Sequence, residues 1–380
     1  MSKTLAAAIG GAAGALAFMA LLIFLLWFCR FLCRNLSRTS ETTSSSIQTM
    51  RNVTTELSLR EAGRFELDEL TQATNGFTSK SLIGEGKFGE VYKGLLQDGM
   101  LVAIKKRPGS PTQEFINEIR YQSSIHHRNI VTLLGYCQEN NMQFLVYEYI
   151  HNGSVSSHLY GDGGKGPGQK LEFRHRLMIS LGAAKGLAHL HSLSPLLIHK
   201  DFKTTNVLAD ENFTAKIADS GLCTLLDTED AGSSSRMVAD EILLAPEVQE
   251  FRRFSDKSDV YAFGVFLLEL VTGREASEPS PSCSDQTLLE WMRNNVDYTD
   301  LSVAVIDERL GSSYTEEGME ELIRLTAPCL EVSSERRPEM SYVVTELKRI
   351  LDREVSLTTL MGEEGTPTVT LGSQLFKAIQ

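Results

Sequence analysis

Gly84, Gly86 and Gly89 stand in Ile83-Gly84-Glu85-Gly86-Lys87-Phe88-Gly89-Glu90-Val91, a spacing that lets backbone amides approach phosphate oxygens because no Cβ holds them off. Dinucleotide-binding folds use the same spacing, but there the glycines lead from a strand into a helix. Here Val91-Tyr92-Lys93-Gly94 and then Val102-Ala103-Ile104-Lys105 follow, both strand-like, so a glycine-rich hairpin laid over phosphates is the better reading. Lys105 at the end of its strand would supply a cation for the α and β phosphates of ATP. Glu118 lies in Phe115-Ile116-Asn117-Glu118-Ile119, a helical pattern able to bring its carboxylate to that ammonium. Either residue alone would be ordinary surface charge.

A second group is His199-Lys200-Asp201-Phe202-Lys203-Thr204-Thr205-Asn206, followed by Asp219-Ser220-Gly221 and Ala245-Pro246-Glu247. This order and spacing resembles the catalytic loop, magnesium motif and activation-segment end of protein kinases. The resemblance implies an α+β, bilobal protein kinase fold with a small β-rich N-lobe and a larger helical C-lobe. It implies ATP and Mg²⁺, or Mn²⁺, as cofactors. Asp201 would orient a substrate hydroxyl and accept its proton, and Lys203 would neutralise charge on the moving phosphoryl group. Asn206 and Asp219 would hold the metal. Ile83, Val91 and Ala103 would line the nucleotide site with the three glycines. Lysine two residues after the base resembles serine/threonine kinases. Asp259 matches the buried helix that braces the catalytic loop, and Glu247 would pair with Arg337. The likeness runs from near Phe77 to Asp352, giving a kinase domain at 77–352 and a flexible tail at 353–380.

Phe65-Glu66-Leu67-Asp68-Glu69-Leu70-Thr71-Gln72-Ala73-Thr74-Asn75-Gly76-Phe77 and Leu145-Val146-Tyr147-Glu148-Tyr149 are similar to segments of plant receptor-like kinases, the RLK/Pelle group. By that resemblance Tyr147 guards the back of the nucleotide pocket, and the backbone from Glu148 to Ile150 is the hinge that binds adenine. Relatives often carry an extracellular sensor, and the chain is expected to be a short form without one. Its signal would then arrive through a partner, with protein substrates or co-receptors in the membrane.

Four departures bear on activity. Lys200 replaces the usual arginine, keeping charge but losing the planar two-pronged grip. Ser220 replaces the usual phenylalanine, and Gln122 stands at a normally apolar position of the same internal stack. Asp240, in Ala239-Asp240-Glu241-Ile242-Leu243-Leu244, takes the place of a threonine and is expected to reach Lys203. Two functions therefore stand: a serine/threonine kinase, and an ATP-binding pseudokinase that serves as a scaffold. Thr224, Thr228 and Ser233 to Ser235 are candidate phosphosites or merely polar loop residues.

These groups need a large folded body, and 380 residues with 42% hydrophobic and 23% charged content allow one. The net charge of −12 is uneven, since residues 1–60 carry six Lys or Arg against Glu41 and Glu56. An acidic body argues against nucleic acid as a partner. Leu5 to Phe28 is 24 residues without a charge, long enough to cross a bilayer, with Arg30, Arg34 and Arg38 after it and Lys3 before. A transmembrane helix at 5–28 is expected, with residues 1–4 outside and the body in the cytosol; the rival signal peptide would have a shorter apolar region and small residues where Trp27 and Phe28 stand. The expected place is the plasma membrane, with the lipid bilayer as a partner. Residues 29–76 read as a flexible juxtamembrane segment, Ser- and Thr-rich from Ser37 to Ser58. Cys29 and Cys33 sit where the helix would emerge, placed for acylation or simply tolerated as apolar residues.

Overall fold

Val102 and Ile104 are fully buried at alternate positions of Leu101–Arg107, the period-two pattern of a strand with one face on a core. The computed structural model describes residues 62–86, 89–107, 113–160, 171–219, 243–280, 283–294, 305–358, 360–361 and 367–368. Its small lobe is a sheet of β1 (Gly63–Arg64), β2 (Leu82–Gly86), β3 (Gly89–Leu95), β4 (Leu101–Arg107), β5 (Leu133–Glu139) and β6 (Met142–Glu148), in the order β1-β5-β6-β4-β3-β2. The pairs β2/β3, β3/β4, β4/β6 and β5/β6 are antiparallel. Helix α1 (Leu67–Ala73) lies between β1 and β2 in the chain and α2 (Gln113–Ser123) follows β4.

Residues 62–76 correct the expected boundary of the flexible segment. Strand β1 adds to the sheet in parallel with β5, and Leu67 and Leu70 of α1 are buried with Val102, Ile104 and Phe144. Gly135 makes this possible, because a Cβ there would stand 2.1 Å from the Gly63 carbonyl oxygen. Apolar burial outweighs the polar composition of the segment as a whole. The first 61 residues, including the expected span at 5–28 and Cys29 and Cys33, lie outside the described residues. Among the described residues no helix is long and apolar enough to cross a membrane.

The large lobe holds α3 (Val155–Tyr160), α4 (Phe173–Ser192), the hairpin of β7 (Val207–Ala209) and β8 (Ala215–Ile217), α5 (Pro246–Phe251) and α6 (Asp256–Thr272). Fourteen of the 17 residues of α6 are buried, so this helix is enclosed on all sides rather than amphipathic. Its ends are set locally: Ser255 and Ser258 form a reciprocal capping box, and Gly273 closes the helix at φ 63°. Beyond it come the short β9 (Pro279–Ser280) and β10 (Cys283–Thr287), then α7 (Leu288–Asn294), α8 (Glu316–Cys329) and α9 (Met340–Thr358). Helix α9 extends past the expected domain end because Glu354 is buried and accepts the Thr315 amide at 3.0 Å. Strands β11 (Leu360–Met361) and β12 (Pro367–Thr368) pair in the tail that was expected to be flexible.

Candidate active site

Asp259 lies in the first turn of α6 and is 1% exposed. A buried carboxylate needs partners, and Asp259 takes two from the loop at 199–206 and one from the last turn of α4. Its Oδ2 accepts the His199 amide at 2.7 Å and the His191 Nε2 proton at 2.9 Å, while Oδ1 accepts the Lys200 amide at 3.0 Å. Lys200 is held at φ 69°, in the left-handed region that a lysine seldom adopts. Phe202 anchors the loop from inside, packed on Phe263 and Phe266 of the same helix. The Lys200 ammonium stands 5.4 Å above the Phe254 ring, a contact that does not need the planar group of arginine.

This bracing presents Asp201 with its carboxylate already engaged. Asn206 Nδ2 donates to Asp201 Oδ2 at 3.0 Å and to its carbonyl at 2.7 Å, and Lys203 Nζ lies 3.2 Å from Oδ1. The Asn206 carbonyl accepts the Ala218 amide at 2.8 Å, and His199 Nε2 donates to the Ala218 carbonyl at 3.0 Å. Both bonds fix the residue before Asp219, which itself sits at φ 60°. Three of the expected residues, Asp201, Lys203 and Asn206, therefore meet, with Asp219 tied to them through its neighbour.

Across the cleft, Lys105 is 4% exposed and its Nζ lies 2.6 Å from Asp219 Oδ1. The side chain of Glu118, its expected partner, lies outside the described residues, although α2 carries it. Val91 is the cross-strand neighbour of Lys105, and Ala103 that of Tyr147, so these expected nucleotide-site residues share one register with the cation. Gly84 faces Val91, Gly86 faces Gly89 at the turn of the glycine-rich hairpin, and Ile83 is exposed. Lys87, Phe88, Ser220, Asp240 and the candidate phosphosites lie outside the described residues.

One departure, Gln122, has a partner for its oxygen. Tyr147 donates its hydroxyl proton to Gln122 Oε1 at 2.7 Å, so Gln122 bonds to the expected gatekeeper, while its Nε2 is buried without a hydrogen-bond partner among the described residues. The next residue, Glu148, gives its amide to the Thr132 carbonyl at 3.1 Å, and its Oε1 accepts the Thr132 amide and the Lys216 ammonium, each at 2.8 Å. Ile150 is buried at the end of this stretch. Glu247 and Arg337 form a two-pronged pair at 2.6 and 2.8 Å, and Arg337 also donates to the carbonyls of Glu331 and Lys257.

Beside Asp201 opens a cavity of about 440 Å³ lined in part by Lys203, Phe254, Ala262, Phe266 and Glu269. Burial pushes the Glu269 carboxyl up to about 7, against the Ala276 amide that it accepts at 3.1 Å. Sequence reasoning missed Glu269, His191, Thr132 and Lys216. Only the position of Glu269 on an otherwise apolar helix could have drawn attention to it.

Among the described residues no cluster of three or more His, Cys, Asp or Glu could hold a metal ion alone. The donor set of Asp219 and Asn206 fits Mg²⁺, which is typically held by one or two carboxylates together with substrate phosphates.

Comparison with known proteins agrees with this geometry. The family profile described as protein tyrosine and serine/threonine kinase matches residues 77–347. The proline-rich receptor-like protein kinase PERK12 of Arabidopsis thaliana is 40% identical over 291 residues, 74% of this chain and 40% of the relative. PERK13 of the same plant is 39% identical over 298 residues, 76% of this chain and 41% of the relative. The chain thus spans about 40% of the length of these curated relatives. Among solved structures, the pseudokinase domain of BIR2, an immune regulator of the RLK/Pelle family, is 31% identical with a TM-score of 0.62, covering 76% of this chain and 86% of that one. The hairpin, the braced loop and the Lys105–Asp219 pair are thus held within a sequence match that runs through both lobes, and the chain belongs to the protein tyrosine and serine/threonine kinase family, with a domain homologous to plant receptor-like kinases.

Proposed function

We propose that this chain is a membrane-anchored serine/threonine protein kinase that transfers the γ-phosphate of ATP to protein hydroxyls. The observation that carries the reading is the Asp201 carboxylate, oriented by Asn206 and Lys203 in a loop pinned to Asp259. Phosphoryl transfer asks mainly for positioning and charge neutralisation. Asp201 orients the substrate hydroxyl and takes its proton, while Lys203 faces the transferring group. Lys105 and the glycine-rich hairpin hold the phosphates, and the backbone from Glu148 to Ile150 reads adenine in front of Tyr147. Mg²⁺ held by Asn206 and Asp219 supplies neutralisation of phosphate charge when bound. Lys105 and Asp219 compensate each other's charge in the protein alone, and with nucleotide and metal present Lys105 would face phosphate and Asp219 the metal.

A second reading, an ATP-binding pseudokinase that acts as a membrane-tethered scaffold, draws on the similarity to the BIR2 pseudokinase domain. Labelled ATP and Mg²⁺ with the full chain in detergent, beside Asp201→Asn, separate the two. Incorporation by the parent at least tenfold above the variant supports the kinase. Equal background in both, with ATP still bound, supports the scaffold.

The anchor rests on the uncharged stretch from Leu5 to Phe28 and the arginines after it. It predicts a chain retained in membranes after alkaline carbonate washing, with the kinase domain facing the cytosol. Glycans on Asn52, Asn152 or Asn212 would place that domain on the other side and remove this orientation.

A further inference from the structure

Glu148 ends β6, where the chain leaves the small lobe, and its side chain gathers three segments. Its Oε1 accepts the Thr132 amide, which precedes β5, and the Lys216 ammonium from the middle of β8, each at 2.8 Å. Strand β8 is itself attached to the stretch before β5. Val131 donates to the Ile217 carbonyl at 2.9 Å, and Ile217 donates to the Asn129 carbonyl at 2.9 Å. Three residues past Lys216 the chain reaches Asp219, with Ala218 already fixed by Asn206 and His199.

The pair is placed to matter. The Lys216 and Glu148 side chains are 17% and 28% exposed, less open to solvent screening than a surface pair. Lys216 also belongs to a cationic neighbourhood, for the imidazole of His127 is held below its usual range by burial and by the charges of His189, Arg128, Lys185 and Lys216. Glu148 brings a carboxylate to that neighbourhood, so the contact has an electrostatic reason to persist. On the other side of the same strand end, Tyr147 is bonded to Gln122 of α2. Successive residues of β6 thus reach a small-lobe helix and a large-lobe strand.

We propose that Lys216 is a positioning residue for nucleotide. Through the Glu148 carboxylate it fixes the hinge backbone at a set distance from the strand that delivers Asp219, so that adenine and phosphate ends are held in register. This deepens the kinase reading above and rests on its assignment of the hinge. Lys216 touches neither nucleotide nor substrate; it acts on the residue that does.

The test compares the full chain with Lys216→Met, Lys216→Arg and Glu148→Gln, measuring binding of a fluorescent ATP analogue with Mg²⁺, melting temperature, and steady-state rates against ATP. A partly exposed ion pair of this kind corresponds to a change of about fivefold in Kd. Lys216→Met is expected to weaken analogue binding and raise KM for ATP by that factor, with kcat falling far less. Lys216→Arg is expected to restore both. Combining Lys216→Met with Glu148→Gln is expected to weaken binding less than the product of the single effects, because both remove one contact. Parent-like binding and KM in Lys216→Met, in a protein that still melts cooperatively, would overturn the proposal while leaving the kinase reading intact. A rise in kcat would also overturn it, since the pair would then restrain turnover. No analogue binding by the parent chain removes the proposal and the ATP-binding reading together.

Discussion

Replacing Asp259 by asparagine changes one atom of an acceptor that serves three donors, two of them consecutive amides of the catalytic loop. One carboxylate oxygen becomes an NH₂ group that meets a donor. A buried donor left without an acceptor costs about 1–3 kcal/mol. The loop also holds Lys200 at φ 69°, a left-handed conformation worth about 1–2 kcal/mol of strain in a residue with a Cβ. These bonds hold the strain in place, and Asp201 is the next residue. With one bond lost, the loop is expected to relax and carry Asp201 away from the Asn206 amide. A displacement near 1 Å costs on the order of 10²-fold in rate. Asp259→Asn should therefore unfold in urea with about 1–3 kcal/mol less stability and turn over on the order of 10²-fold more slowly. Lys200→Gly relieves the strain, partly offset by loss of the Phe254 contact, worth about 0.5–1 kcal/mol. Placed in Asp259→Asn, it should recover part of the rate, because glycine holds the left-handed angle without help. The reasoning is refuted if Asp259→Asn keeps parental turnover, or if adding Lys200→Gly slows it further.

Two further outcomes follow from buried charge. Glu247→Ala leaves the fully buried Arg337 guanidinium without its two-pronged partner, and urea unfolding should show a loss of about 3–5 kcal/mol, with Glu247→Gln losing less. Glu269 titrates near 7 when folded against 4.5 in the unfolded chain, so its contribution is complete below pH 4.5 and declines as pH rises to about 7. Unfolding free energies of the parent and Glu269→Gln, taken across that window, should diverge by about 3 kcal/mol in favour of the variant at the upper end. A constant difference across the window would show that the carboxyl does not titrate there.

The motifs that carry chemistry were legible because their geometry is local. The alternation of Val91-Tyr92-Lys93-Gly94 and Val102-Ala103-Ile104-Lys105 selects strands after the glycines, and that choice alone separates a phosphate-covering hairpin from a strand-to-helix turn. The sequence likewise marked Asp259 and the Glu247–Arg337 pair, through motifs of the family. It misjudged residues 62–76, since a polar segment with Leu67 and Leu70 declares itself structured only when the strand that will cover those leucines is known.

The order of residues therefore determines by itself the strands that flank the glycines and which side chains are chemically equipped for phosphate, but not the elements at residues 62–76, whose apolar face is defined only by what covers it. Tertiary structure alone decided the partners. Lys105 meets Asp219 across 114 residues of sequence, Glu148 meets Lys216 across 68, and Tyr147 meets Gln122 across 25. Hydrogen bonding and ion pairing act over about 3 Å, while many carboxylates and amides stand at comparable distances along the chain. Which of them arrives is set by how the sheet, α2 and α6 pack.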